Sequence, residues 1–111
     1  MLGVGCWVFA FVQSIVIPAA VKEIGSDAFR ECSMLESVEL AVGLKSIGGS
    51  AFAKCVSLRE VKVNAPLPPK ITKTTFKDTV LGVLKFYVPM GCKAGYMRDK
   101  QWMKIPQIIE K

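Results

Sequence analysis

The chain has 111 residues, of which 51% are hydrophobic and 22% are charged, and its formal net charge is +6. This length fits one domain with enough apolar residues for a core. The sequence contains no histidine, which excludes catalytic devices of the Ser-His-Asp and Cys-His kinds. Its four cysteines form no Cys-x-x-Cys pair, so zinc and haem sites have little support. We therefore expect no enzymatic activity, no metal, no cofactor and no small-molecule substrate.

The charge is unevenly distributed along the chain. Residues 1–58 carry four basic and five acidic side chains, a net charge of −1, whereas residues 59–111 carry eleven basic and four acidic ones, a net charge of +7. A basic half attracts anionic glycans, acidic proteins or nucleic acid. Lysine dominates over arginine and no basic run is interleaved with aromatic residues, which argues against nucleic acid. The simpler interpretation is a solvated surface.

The N-terminal residues 1–13 are apolar and uncharged. Continued to Val21, they make a hydrophobic run that a hydropathy scan would assign to a membrane. A signal peptide requires basic residues before its apolar run, and none is present here. The residues from Ser14 onward also fit a repeat. We therefore interpret 1–13 as a degenerate coil or cap and expect no membrane span. An N-terminal end that exposes core surface would favour self-association.

Two stretches, Ile24–Leu40 and Ile47–Val63, carry one pattern written twice with a fixed offset. The shared letters are Ile, Gly, Ala-Phe, Cys, Leu and Val. A fixed period of 20–29 residues with this apolar spacing marks a leucine-rich-repeat solenoid. In each unit, apolar and polar residues alternate near the end, which indicates a strand with one buried face. The segment Ser50–Cys55 is predicted to form a short helical or 3₁₀ turn on the outer wall.

Extension of this 23-residue period predicts four strands in register. The aligned segments are Ile15–Ile17, Val38–Leu40, Val61–Val63 and Leu84–Phe86. In this alignment Lys85 lies beside Lys62, and Tyr87 lies beside Asn64. The resulting division is a degenerate N-terminal coil or cap at 1–13, two regular coils at 14–63, a degenerate proline-rich coil with the last strand at 64–89, and a C-terminal cap at 90–111 with a short helix near 94–99.

Two cysteines, Cys32 and Cys55, occupy the same position in adjacent coils, so they should lie one above the other. A disulfide between them is geometrically conceivable. The position points inward and repeats with the core, which favours two buried thiols that pack as small hydrophobic side chains. Cysteine content therefore does not determine the compartment.

The repeat resembles the BspA-like, treponemal-type leucine-rich-repeat family, whose pattern is IP-x-x-V-x-x-IG-x-x-AF-x-x-C. Residues Ile17–Cys32 match it almost position for position, and the tail is similar to the endings of Bacteroides-type members through Tyr87-Val88-Pro89, Tyr96 and Trp102. The resemblance implies an α/β repeat fold that is mainly β: a leucine-rich-repeat solenoid of about four 23-residue coils, with a parallel concave sheet and a C-terminal cap. It also implies a cell-surface or secreted protein that adheres to host matrix proteins or bacterial surface proteins.

The strand residues that point away from the core define the expected contact surface on the concave sheet. The charged, amide and aromatic residues among them are the candidate partner-binding residues: Glu39, Glu60, Lys62, Asn64, Lys85 and Tyr87. A binding module is the first hypothesis. The alternatives are a structural C-terminal capping piece of a longer repeat array and anionic-glycan binding by the basic half.

Overall fold

The computed structural model describes residues 12–79 and 82–111. In chain order the elements are β1 (Ser14–Ile17), β2 (Glu23–Ile24), β3 (Ser37–Leu40), β4 (Ser46–Ile47), β5 (Glu60–Val63), β6 (Lys85–Val88), α1 (Lys93–Met97), a 3₁₀ helix (Trp102–Lys104) and β7 (Ile108–Glu110). A parallel sheet has the order β1-β3-β5-β6-β7, and a second wall pairs β2 with β4. The chain is thus a parallel β-solenoid of about four turns, as the repeat predicts.

The first three strands of the five-stranded sheet pair in the predicted register. Ile15 lies opposite Val38, and Val38 lies opposite Val61, so each partner follows by one full repeat period. Alternate residues such as Leu40 and Val63 are buried, while their neighbours face outward. Because side chains alternate across a strand, coils of equal length with paired strands place the apolar letters of every unit in one core.

The register of the fourth strand was predicted wrongly. Phe86 pairs with Val61 and Tyr87 pairs with Lys62, whereas the repeat period had placed Leu84 beside Val61 and Lys85 beside Lys62. The crossing after β5 is one residue longer than in the earlier coils, as the sequence shows. A second extra residue lies between this crossing and β6. A shift of two residues leaves every side chain on its original face, because the side-chain period of a strand is two. Lys85 and Tyr87 therefore still face outward, but each lies beside a different neighbour.

The outer wall consists of hydrogen-bonded turns rather than a helix, so of the predicted helical or 3₁₀ turn at Ser50–Cys55 only the turn is observed. Ser50 and Lys54 have positive φ, as do their counterparts one coil earlier, and this left-handed geometry interrupts a helix. The backbone N–H groups bond to the neighbouring coil instead. The Phe29 N–H donates to the carbonyl of Ala51 at 2.8 Å, for example. The outer wall is therefore a third set of bonds between coils.

An aromatic column runs through the core along the solenoid axis. Phe29, Phe52 and Phe76 stack with ring centroids 5.3 and 5.6 Å apart, and Phe86 then meets Phe76 edge to face. Trp102 continues the column, 5.6 Å from Phe86. All five rings are buried. Since each ring contacts the ring of the next turn, the column joins the repeat to the C-terminal segment.

The stacked cysteine position is only partly as predicted. Cys55 is a buried free thiol, whereas Cys32 is disulfide-bonded, so the expectation of two thiols was wrong for Cys32. The bond does not join Cys32 to Cys55. The Cys55 thiol donates to the carbonyl of Phe29 at 3.2 Å.

The C-terminal segment closes one end of the core. The Tyr96 hydroxyl donates to the carbonyl of Ala65 at 2.6 Å, and the Trp102 indole N–H donates to the carbonyl of Pro69 at 2.7 Å. Both acceptors belong to the proline-rich crossing. β7 then adds a fifth strand beside β6, which the sequence analysis had assigned only to a cap. The predicted short helix is α1.

Two predictions concern the N-terminal end of the chain. The degenerate coil or cap and the apolar end that favours self-association both fall on residues 1–13, of which 1–11 lie outside the described residues. Among residues 12–79 and 82–111, no helix has the length and apolar character needed to cross a bilayer.

Candidate binding surface

The outward face of the five-stranded sheet presents its side chains in rows that run across the strands. One row contains Ser14, Ser37, Glu60 and Lys85 in paired positions, and the next contains Val16, Glu39, Lys62, Tyr87 and Ile109. Charged residues occupy the middle of both rows. All six predicted contact residues lie on this face or at its strand ends, and the strand pairing sets which of them are neighbours.

The predicted residues Glu39 and Asn64 contact each other directly. The Asn64 side-chain amide donates to a Glu39 carboxylate oxygen at 3.1 Å, and both residues are half-buried. Asn64 follows β5 immediately, so this bond reaches across to the preceding coil. The bond orients the amide and occupies one carboxylate oxygen, which makes this pair a fixed polar feature at the edge of the face.

Opposite charges alternate between strands elsewhere on the face. Glu60 is paired with Lys85, and Glu39 is paired with Lys62. Glu60, Lys62 and Lys85 are exposed, and the ion pairs of the described residues, Asp27–Arg30 and Glu31–Lys54, lie on the outer wall. Charged groups that are exposed and form no ion pair in the free protein remain available to a partner.

Three predicted residues line a groove at the ends of the strands. Lys62, Asn64 and Tyr87 contribute to its wall, together with the C-terminal Lys111 and apolar residues of the neighbouring turns. The volume of the groove is about 390 Å³. Glu39, Glu60 and Lys85 are not among the described residues that line the groove, so the structure divides the predicted set into three groove residues and three residues outside the groove.

Lys111 is a groove residue that the sequence analysis missed. Its ammonium nitrogen lies 4.6 Å from the centroid of the Tyr87 ring, a cation–π arrangement. Lys111 reaches this position because β7 pairs with β6, and its N–H donates to the carbonyl of Val88. A signal was present in the sequence, since Ile108 follows its partner Phe86 at close to one repeat period.

The surface offers charge, hydrogen bonding and shape to a partner. Its groups are carboxylates, ammonium groups, one amide and one aromatic ring on a rigid sheet. Within residues 12–79 and 82–111, the structure shows no group of three or more metal-ligating side chains. Extended faces of this kind are the usual contact surfaces of solenoids.

The comparison with known proteins agrees with this architecture. The family described as "BspA type Leucine rich repeat region" matches residues 3–88 in six copies. No curated protein matches the sequence. The matched region covers more than half of the chain and contains β1, β3, β5 and β6, which are four of the five strands that form the outward face. The chain is therefore a repeat-protein module that belongs to the BspA-type leucine-rich-repeat family.

Proposed function

We propose that this chain is a protein-binding module of a bacterial cell-surface or secreted repeat protein, which adheres to host or bacterial surface proteins through its concave sheet. The observation that carries the proposal is the row of outward side chains across the five strands. Its contact residues are Glu39, Glu60, Lys62, Asn64, Lys85 and Tyr87. The module acts by contact alone and carries out no reaction.

The mixture of charges on the face favours a protein partner. Glu60 faces outward beside Lys85, and Glu39 beside Lys62, so the surface alternates in sign over short distances. A nucleic acid or a uniformly anionic glycan would be repelled by the carboxylates, whereas a protein surface can match both signs. Tyr87 adds a large, rigid contact area of a type enriched in protein interfaces.

A second candidate function, as a structural cap of a longer array, has support from the C-terminal segment. Tyr96 and Trp102 are completely buried and bond to the proline-rich crossing. Solenoids need such closure at their ends. The two functions are compatible in one chain, but only the binding module requires the outward residues.

The proposed location is tested by mild proteolysis of intact source cells, followed by mass spectrometry of the released peptides. The proposal predicts that peptides spanning Lys62 to Lys85 are released before lysis, together with those of known surface proteins. A cytoplasmic marker must remain intact as the control. Release only after lysis would contradict the surface location.

The proposed binding is tested with the purified chain against immobilised extracellular-matrix proteins and surface proteins of neighbouring bacteria. We expect saturable binding to at least one protein, retained at roughly physiological salt because the charges are mixed in sign. A phosphate-rich or sulfated polymer such as DNA or heparin is the control ligand. Binding to the polymer alone, with a steep loss as salt rises, would instead support anionic-glycan or nucleic-acid binding.

A further inference from the structure

Three strongly exposed apolar side chains lie just beyond the ends of the concave strands. Val42, Leu67 and Met90 have 62%, 78% and 73% of their surface exposed. They follow β3, β5 and β6 within two to four residues, one in each successive turn of the solenoid. We call this set the apolar rim. Exposed apolar patches edged by polar residues commonly mark interaction sites.

The apolar rim is continuous because its members share two adjacent grooves. Val42 and Met90 line the groove of about 390 Å³ that also contains Lys62 and Tyr87. Val42 and Leu67 line a second groove of about 200 Å³. Val42 therefore lies between the two grooves. Three successive turns span about 10 Å along the solenoid axis, which suits three residues of an extended chain.

The charged side chains that line the two grooves are all basic. Lys22 and Lys45 border the smaller groove, and Lys62 and Lys111 border the larger one. No aspartate or glutamate is among the described residues that line either groove. All four lysines are exposed. The rim thus differs from the centre of the sheet, where carboxylates and ammonium groups alternate.

The shape of the rim favours a peptide over a lipid surface. Grooves on both sides of Val42 can receive individual side chains, and Asn64 and Tyr87 line the larger groove. A bilayer is flat on this scale and would contact the projecting side chains while the grooves stayed unfilled. Cationic edges around apolar grooves match a chain that alternates acidic and apolar residues.

We propose that the apolar rim docks an extended acidic peptide segment of a partner protein. The apolar side chains of the segment fill the two grooves, and its carboxylates face the four lysines. This inference rests on the proposed protein-binding function and narrows it in two respects. It places the anchoring contacts at the strand ends, and it gives the chemical class of the segment that is bound.

The test is an NMR titration of the full ¹⁵N-labelled chain with a blocked synthetic peptide of alternating Asp and Leu. We expect saturable shift changes around Val42, Leu67 and Met90, and none with the matched peptide of alternating Lys and Leu. The triple variant Val42→Ser, Leu67→Ser, Met90→Ser should lower the affinity at least about tenfold. The control is Val56→Ser, since Val56 is 52% exposed and lines neither groove.

A second pair of variants separates the charge contribution from the apolar one. Lys62→Gln with Lys111→Gln should weaken binding of the Asp-Leu peptide and flatten its salt dependence, whereas Lys77→Gln on the outer wall should change neither. Well-dispersed spectra of every variant show that the fold persists. The inference is overturned if binding is not saturable, is equal for both peptides, or survives the triple substitution.

Two further outcomes distinguish this inference from its alternatives. Binding of the chain to phosphatidylserine vesicles that is lost in the triple variant, without binding of the Asp-Leu peptide, would assign the rim to a membrane surface and overturn the inference. If the triple variant still binds the matrix or surface protein with unchanged affinity, the protein-binding function stands and the rim assignment fails. Loss of both peptide and protein binding in the triple variant supports the inference.

Discussion

The same position in two successive coils holds a small side chain that donates a hydrogen bond to the coil before it. The Cys55 thiol donates to the carbonyl of Phe29 at 3.2 Å, and one coil later the Thr79 hydroxyl donates to the carbonyl of Phe52 at 2.7 Å. Both residues are buried. The repeat pattern alone indicates only a core cysteine at this position. Threonine can replace cysteine there because its hydroxyl donates the same hydrogen bond.

Replacement of Thr79 by valine tests this function at nearly constant shape. Thr79→Val leaves the buried Phe52 carbonyl without its donor, so we expect the free energy of unfolding to fall by about 1–2 kcal/mol. Thr79→Ser keeps the hydroxyl and should lose less. Urea unfolding followed by circular dichroism measures both. A valine variant as stable as the wild type would show that the bond contributes nothing.

The close approach of two coils at Gly48 gives a second prediction. A Cβ atom at Gly48 would lie 2.6 Å from the backbone nitrogen of Ser26 and 2.9 Å from the carbonyl carbon of Gly25. Backbone atoms cannot move aside without separating the coils, so Gly48→Ala should destabilise the chain by about 1–3 kcal/mol. Gly95→Ala, where nothing lies within 4 Å, is the control and should stabilise α1 by about 0.5–1 kcal/mol. Equal melting temperatures for the two variants would refute the close packing.

Buried acids make the fold sensitive to alkaline pH. Burial raises the pKa of the Cys55 thiol from 9.0 to about 11, against a smaller lowering by the backbone hydrogen bond of Cys32. Burial, and then the charge of Cys92, also raises the pKa of Tyr96. A raised pKa in the folded state adds stability that is complete below the unfolded pKa. That stability is lost as the pH rises through the folded value.

We therefore expect the free energy of unfolding to decline between about pH 9 and pH 11, the unfolded and folded pKa values of Cys55. The variant Cys55→Thr, which places the residue of the next coil in the position, removes one titrating group and should give a shallower decline, by roughly 1–3 kcal/mol over that interval. Urea unfolding at closely spaced steps of pH measures both curves. Identical slopes for the variant and the wild type would mean that Cys55 does not contribute.

At the scale of the elements, periodicity predicts the part of the sheet in which successive coils are equal in length. The constant repeat period places Ile15, Val38 and Val61 in one row, as observed. The fourth strand fails this arithmetic because the added length is split between the proline-rich crossing and the segment before β6. A sequence shows inserted residues only where recognisable letters bracket them, and the turn that holds the second insertion lacks the Cys and Leu letters of the repeat, which align with Thr79 and Gly82 when only the first insertion is counted.

The neighbours of the candidate surface residues could likewise be predicted only where successive coils are equal in length. Glu39, Glu60 and Lys62 have the predicted neighbours because they belong to the regular coils. Lys85 and Tyr87 were placed on the correct face beside the wrong partners, since facing depends on alternation and neighbours depend on register. Lys111 was missed because β7 is a short strand that follows Pro106 closely, so its alternation does not distinguish a strand from a cap.

The C-terminal segment provides a prediction for a whole element. Trp102→Phe removes the indole donor to Pro69 and leaves a void beside Phe86 and Tyr96. We expect the free energy of unfolding to fall by about 2–3 kcal/mol. The adjacent control is Met103→Ala, because Met103 is exposed and should change stability by less than about 0.5 kcal/mol. Similar urea midpoints for the two variants would show that the segment does not close the core.

For the whole molecule, the solenoid separates stability from contact. Three sets of bonds between coils and the aromatic column hold the turns together, while the outward residues of the five-stranded sheet contribute little to the core. Substitutions on the outward face should therefore change binding and leave the fold intact. This independence follows from stacked repeats, in which each coil contacts only its neighbours.

The concave binding surface is tested most directly by the affinity for a surface protein identified by the binding screen, measured for variants inside and outside the concave sheet. Lys62→Glu with Tyr87→Ala alters the concave sheet, and Lys77→Glu with Val56→Ala makes the same kinds of change at exposed residues outside it. We expect a loss of affinity of about tenfold or more for the concave variant alone, with both variants folded. Equal affinities would contradict a concave binding surface, and a loss confined to the other variant would place the contact elsewhere on the solenoid.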